Sequence, residues 1–361
     1  MMIYISAFIN AVLLSVIFTP ITSFIAKKIG AVDLPNNRKI HEKVVPRLGG
    51  VAIYLSFLIS ILIHFDYISK HIRGLIFGSL IIVICGIWDD IKELNYKTKL
   101  LFQLIASIVL MSHGVMINKV SILSVDGASF MNLGWLSIPI SILWIIGVTN
   151  AVNLIDGLDG LACGLATISS VFLFIIFIFT GNPAMALMII ALAGSCLGFL
   201  PYNFNPARIF MGDTGSMFLG FILAGMSIQG TVKYATTIIM FIPLLIIGLP
   251  LYDTLVTMLR RFIQGSSIME PDKQHFHHRM LSMGLNQKQV AILSYIVNIV
   301  LGILALIILF SDNSNMLIII LAITVITLFM IVENFIFTKK NNNISNSVKT
   351  NIELEKEKTD I

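Results

Sequence analysis

Charge is what this chain has least of. Asp, Glu, Lys and Arg together make 12% of its 361 residues, against about 25% in a soluble globular domain, which excludes a water-soluble surface over most of its length. Cysteine is equally sparse: Cys85, Cys163 and Cys196 lie in or beside apolar runs with neither metal nor disulfide spacing, so they read as packing residues. No stretch alternates apolar and polar residues over ten positions, which argues against a transmembrane barrel. No internal repeat is evident, and no nucleic-acid motif accompanies the sequence pI near 9.0. What is present is apolar: 57% hydrophobic residues and a mean hydropathy of +0.93.

A helix crossing a bilayer needs about 20 apolar residues. Runs of that kind predict eleven spans, near 2–26, 48–68, 72–88, 98–117, 135–152, 158–180, 183–201, 214–230, 234–259, 288–310 and 316–337. The expected fold is therefore an all-α, polytopic integral membrane protein. The first run has no basic segment before it and no clear small-residue cleavage site, so it reads as a retained span. With the N-terminus outside, eleven spans leave Lys70, Arg73, Lys119 and Lys233 on the outer side and the rest of the 24 Lys and Arg residues inside. That asymmetry follows the positive-inside tendency and puts the C-terminus in the cytoplasm. Residues 1–338 form one expected transmembrane catalytic domain. Residues 339–361, rich in Asn, Ser, Lys and Glu, cannot build a core and read as a disordered cytoplasmic tail. Residues 118–134 suggest a small outer hairpin around Asp126-Gly127.

Acids have little effect on topology, so their placement needs another explanation. Asp66, Asp126 and Asp312 fall outside, whereas Asp33, Glu42, Asp89, Asp90, Glu93, Asp156, Asp159, Asp213, Asp253, Glu270 and Asp272 fall inside, several at span ends beside bases and glycines. In "GIWDDIKELNYKTKLLFQ", Asp89 and Asp90 close the third span, and adjacent carboxylates repel unless a cation or the following lysines compensate. In "NAVNLIDGLDGLA", Asn150, Asn153, Asp156 and Asp159 recur every third residue; a straight helix would turn the first and last in opposite directions. A break at Gly157 and Gly160 would let them converge. In "NFNPARIFMGDTGSMFLG", Asp213 begins the eighth span among glycines, where it could cap the helix or hold a cation against bound anions. "DKQHFHHRM" sets His275, His277, His278 and Arg279 in the longest inner loop, without structural-zinc spacing. Carboxylates for Mg²⁺ beside cationic groups for phosphate indicate phosphoryl transfer, and the bilayer suggests that one substrate is a lipid.

"DLPNNRKIHEKVVPRLGG", "DDIKELNYKTKLLFQ", "NAVNLIDGLDGLA", "ARIFMGDTGS" and "DKQHFHHRM", in this order over about residues 33–290, resemble the polyprenyl-phosphate N-acetylhexosamine-1-phosphate transferases of glycosyltransferase family 4. "PRLGG" and "HFHHR" resemble the WecA/TagO branch, which uses UDP-N-acetylglucosamine. The resemblance implies transfer of GlcNAc-1-phosphate from UDP-GlcNAc to undecaprenyl phosphate with Mg²⁺, for which Mn²⁺ can substitute, and release of UMP. This would be the first membrane step of an envelope glycan such as teichoic acid or O-antigen, at the cytoplasmic face of a bacterial inner membrane. It further implies that Asp213 binds the metal with Asn153 or Asp156 close by, that Phe210 stacks on uracil, and that Asp159 hydrogen-bonds it. Lys99 and Asn203 match polar positions lining the family's site, and His275, His277, His278 and Arg279 would face the diphosphate and sugar.

Asp89 and Asp90 match the family's paired acids, open between base, nucleophile and positioning group. A phosphate monoester has a second pKa near 6, so the lipid phosphate is largely dianionic at neutral pH and scarcely needs a base. Direct attack by lipid phosphate on the sugar-linked phosphorus is the preferred reading. The alternatives are the UDP-MurNAc-pentapeptide enzyme of the same family and, from another class, a transporter, which would place its ionisable residues near mid-span. Oligomeric state stays open between monomer and homodimer.

Overall fold

The computed structural model describes residues 1–34, 44–65, 68–124, 127–231, 245–263 and 276–310. The described chain is built from helices: α1 (Met2–Ile29), α2 (Gly49–His64), α3 (Lys70–Ile91), α4 (Tyr96–Ser112), α5 (Ser137–Ile155), α6 (Leu161–Phe179), α7 (Pro183–Asn203), α8 (Gly212–Thr231), α9 (Gly248–Ile263), α10 (Phe276–Ser282) and α11 (Gln287–Phe310). Two short antiparallel ladders accompany them: β1 (Val32–Asp33) with β2 (Val45–Pro46), and β3 (Lys119–Ser124) with β4 (Gly127–Asn132). Six described helices, namely α1, α3, α5 with the turn before it, α6, α7 and α11, are long and apolar enough to cross a membrane. The chain is thus a multi-pass, all-α membrane protein. The expected span at 316–337, part of the one at 234–259, and the tail lie outside the described residues.

Three expected spans depart from that simple pattern for physical reasons. Helix α2 has only 16 residues. Helix α4 carries Lys97 and Lys99 in its first turn, which shortens its apolar part. Helix α8 mixes Gly, Ser, Thr and Gln with its apolar residues, yet is buried over nearly its whole length; it packs against α2, α3, α5 and α6. A helix enclosed on all sides meets side chains and not lipid, so its polarity is set by its neighbours.

Helix α1 lies at the periphery. Its buried face is the small-residue set Ala7, Ala11, Ser15, Thr19, Thr22 and Ala26, while Leu13, Ile17 and Phe24 are exposed, as suits contact with lipid. Opposite it on α7 are Gly194 and Gly198, where an added Cβ would come within 2.5 Å of the Phe8 and Val12 carbonyl oxygens. Close backbone approach through small residues is how membrane helices gain packing energy without a hydrophobic drive between them. The three cysteines are buried and free, matching the packing role expected. The hairpin expected near 118–134 is present, with Lys119 paired to Asn132 and Ser124 to Gly127.

The expected break after the fifth span is also present. Helix α5 ends at Ile155, α6 begins at Leu161, and Gly160 between them has φ +76°, a left-handed conformation suited to glycine. The helix ends alternate so that the C-terminal ends of α3, α5 and α7 and the N-terminal ends of α2, α4, α6, α8 and α11 are linked at one end of the bundle.

Candidate active site

The site is assembled around the first turn of α8. Asp90, in the last turn of α3, supplies the cap: its Oδ1 accepts from Asp213 N at 2.9 Å, and its Oδ2 accepts from Thr214 N at 3.1 Å and Thr214 Oγ1 at 2.6 Å. These amides are among those a helix start leaves without intrahelical partners, and the positive end of the helix dipole favours the carboxylate. The capping role considered for Asp213 therefore belongs to Asp90. Gly212, with φ +70°, makes the approach feasible, since a Cβ there would collide with both Asp90 oxygens and the Arg47 carbonyl.

With that cap in place Asp213 turns toward Lys99. Lys99 Nζ lies 2.5 Å from Asp213 Oδ2 and 2.8 Å from Asp89 Oδ2, and Asp89 Oδ1 accepts from Leu94 N at 2.7 Å. Oxygens of Asp89, Asp90 and Asp213 lie within 4.8 Å of one another. Asn153, two residues before the end of α5, donates to Ser216 Oγ on α8 at 2.7 Å and neighbours the Asp213 carboxylate. Asp156, just past the end of α5, has its carboxyl pushed up to about 8, first by burial and then by the charges of Asp213, Asp90 and Asp159, with Arg47 opposing. The acids Asp213, Asp90 and Asp159 outweigh Arg47 in their effect on this carboxyl, and acids gathered in this way suit a cation.

Asn203 and Asp159, two other expected site residues, also make hydrogen bonds that join loops at this end. Asn203 is buried, and both ends of its amide are used: Oδ1 accepts from Gly160 N at 3.1 Å and Nδ2 donates to Ile209 O at 3.0 Å. It ties the α5–α6 turn to the loop before α8. Asp159 Oδ2 accepts from Asn205 Nδ2 at 2.9 Å and Ala207 N at 3.0 Å, so it braces that same loop, and Asn205 reaches on to Gln287 Oε1 at the start of α11. Asn150, expected to converge with Asn153, instead exchanges two amide hydrogen bonds with Gln103 of α4. Phe210 is half-buried, and its backbone is pinned between Pro46 O and Gly49 N. Arg279 is buried on α10. His277 and His278 lie on that helix too, and His275 lies outside the described residues.

The sequence pattern alone did not single out Arg47, Asp33, Thr214 and Ser216 as site residues. The Arg47 guanidinium lies 3.8 Å from both Asp33 and Asp90, brought there by the β1–β2 pairing. The signal that could have found it was "PRLGG", whose arginine precedes two glycines. Gly50 abuts Gly215 of α8, and Gly86 of α3 abuts Thr214; a Cβ at either would overlap the α8 backbone. Glycines on α2 and α3 thus seat the first turn of α8.

A family model described as glycosyl transferase family 4 matches residues 72–231, which include Asp89, Asp90, Lys99, Asn153, Asp156 and Asp213. Over 301 residues the chain is 40% identical to a probable undecaprenyl-phosphate N-acetylglucosaminyl 1-phosphate transferase of Bacillus subtilis (strain 168), covering 83% of this chain and 84% of that protein. The chain belongs to glycosyl transferase family 4. Two further relatives are a decaprenyl-phosphate N-acetylglucosaminephosphotransferase of Mycobacterium leprae (strain TN), 32% identical over 80% of this chain and 79% of its own, and the undecaprenyl-phosphate alpha-N-acetylglucosaminyl 1-phosphate transferase of Escherichia coli (strain K12), 30% identical over 79% and 78%. As a family 4 member the chain is an enzyme, and the acids and lysine gathered at the start of α8 all fall within the stretch that carries its family membership.

Proposed function

We propose that this phosphotransferase moves GlcNAc-1-phosphate from UDP-GlcNAc to undecaprenyl phosphate, releasing UMP and forming undecaprenyl-diphospho-GlcNAc, the first membrane step of an envelope glycan. The proposed setting is a bacterial inner membrane, with eleven spans in residues 1–338, the N-terminus outside, and the active-site end and tail in the cytoplasm. The observation that carries the reading is the meeting of Asp213, Asp89, Lys99 and Asn153 beside the capped start of α8. The relatives' names add a polyprenyl-phosphate acceptor and an N-acetylglucosamine-phosphate donor.

All-oxygen donors suit a hard divalent cation, and the acid excess around Asp156 fits one. Bound there, Mg²⁺ or Mn²⁺ would neutralise charge on the donor diphosphate. In this reading Asp213 and Asn153 hold the cation. Lys99 takes phosphate charge, Phe210 meets the uracil, and Asp159 and Asn203 shape the nucleotide side of the cleft. His275, His277, His278 and Arg279 supply donors to diphosphate and sugar. Asp89 and Asp156 order the acceptor and the cation, while Asp90 acts through α8. No general base is required, because the lipid phosphate is largely dianionic near neutral pH. One phosphoanhydride replaces another, so the reaction is nearly balanced and added UMP drives it backward.

The test incubates purified protein with Mg²⁺, undecaprenyl phosphate and UDP-GlcNAc, UDP-GalNAc or UDP-MurNAc-pentapeptide, and measures UMP. Release is expected with UDP-GlcNAc and is expected to vanish in Asp213→Asn, which still inserts into membranes. No release with any sugar contradicts the proposal. An aspartyl-phosphate trapped in the absence of lipid would replace direct attack with a covalent route.

A further inference from the structure

Lys99 sits between Asp89 and Asp213, two of the three acids whose oxygens gather at the site. Its ammonium contacts Asp89 Oδ2 and Asp213 Oδ2. Elsewhere in the cluster, Asp89 Oδ1 is committed to Leu94 N, and both Asp90 oxygens hold the first turn of α8. A divalent cation held by Asp213 would compete with that ammonium for one carboxylate, because two cationic groups against the same acid repel each other. Nor does α4 itself favour a cation here. Lys99 is in its first turn, where the helix dipole disfavours positive charge, so the acids of α3 and α8 hold it. The side chain is one-quarter exposed, and a lysine stem with freely rotating bonds can swing its head group without moving the backbone.

We propose that Lys99 is a resident counter-ion: a divalent cation displaces its ammonium from Asp89 and Asp213, and the released ammonium engages the diphosphate of the incoming nucleotide. Cation and diphosphate binding are then linked through one side chain, each strengthening the other by the same factor. This rests on the reading that the site binds a divalent cation with a sugar nucleotide, and it adds the device that keeps the two carboxylates neutralised until both arrive.

Calorimetric titration of the detergent-solubilised full chain with Mn²⁺, with and without UDP, tests it. Lys99→Gln is expected to bind Mn²⁺ roughly tenfold tighter than wild type without UDP, and to lose a similar share of the strengthening that UDP confers. On the wild-type protein, an amine-reactive reagent read by mass spectrometry is expected to label Lys99 more when Mg²⁺ is added, which requires no variant to fold. Equal or weaker Mn²⁺ binding by Lys99→Gln, or reduced labelling of Lys99 with Mg²⁺, overturns the counter-ion role while leaving the cation reading intact. Absence of Mn²⁺ binding by either protein, even with UDP, overturns the cation reading and the counter-ion with it.

Discussion

Consecutive residues on a helix point about 100° apart, and at the end of α3 that angle sends Asp89 toward Lys99 of α4 and Asp90 toward the first turn of α8. In the sequence the two acids read as a pair with one task, because adjacency was visible and direction was not. The structure separates them, and their variants should separate too. Asp90→Ala removes three charge-assisted hydrogen bonds from a buried helix start and is expected to cost roughly 2–4 kcal/mol of stability, read as a lowered midpoint in thermal unfolding. Asp89→Asn keeps the shape and the Leu94 contact, so its unfolding midpoint should stay near wild type while divalent-cation binding weakens. Asp156 gives a pH signature. Its carboxyl, normally near 4 when unfolded, is pushed up to about 8 in the fold. The folded state therefore holds a proton that the unfolded state gives up, and this group's contribution to stability declines as pH rises from about 4 to about 8. In chelator-treated protein, Asp156→Asn should raise the unfolding temperature more at pH 8.5 than at pH 5, and added Mg²⁺ should shrink the difference.

At the scale of elements, α8 is the part on which the site depends, and glycines on its neighbours set its position. Gly50 and Gly86 bring α2 and α3 against the backbone at Gly215 and Thr214. Gly86→Ala should destabilise by about 1–3 kcal/mol through overpacking and disturb Asp213 with the turn that carries it. At Gly147 of α5 an added Cβ would meet nothing within 4 Å, so Gly147→Ala should be neutral or stabilise by about 0.5–1 kcal/mol; comparison of the two unfolding midpoints separates the cost of contact from the benefit of alanine. The long apolar helices were legible in the sequence because each carries its own signal, and the α5–α6 break was legible from Gly157 and Gly160. The β1–β2 pairing was not, since two residues on each side leave no periodicity to read. That omission hid Arg47, which only the pairing sets beside Asp33 and Asp90.

At the scale of the molecule, chain direction alternates among the described helices that meet at the site, so acids far apart in sequence share one end of the bundle. The sequence recorded that sidedness in its charges, yet it could not distinguish residues facing the cleft from residues bracing it. Asn203 and Asp159 illustrate the difficulty: their hydrogen bonds to Gly160, Ile209, Asn205 and Ala207 depend on two loops meeting, which no local pattern encodes. Orientation is testable because the native cysteines are buried. A cysteine at exposed Ser112 should react with an impermeant thiol reagent on intact cells, whereas one at exposed Lys92 should react only after permeabilisation; the reverse pattern would invert the proposed topology. The most direct measurement of the central claim is the anomalous scattering of Mn²⁺ in crystals grown with UDP-GlcNAc. A peak is expected at the Asp213 carboxylate beside Asn153, with the nucleotide diphosphate against it and Lys99 turned toward phosphate. A manganese peak away from the first turn of α8, or a nucleotide bound with no manganese against Asp213, would contradict it.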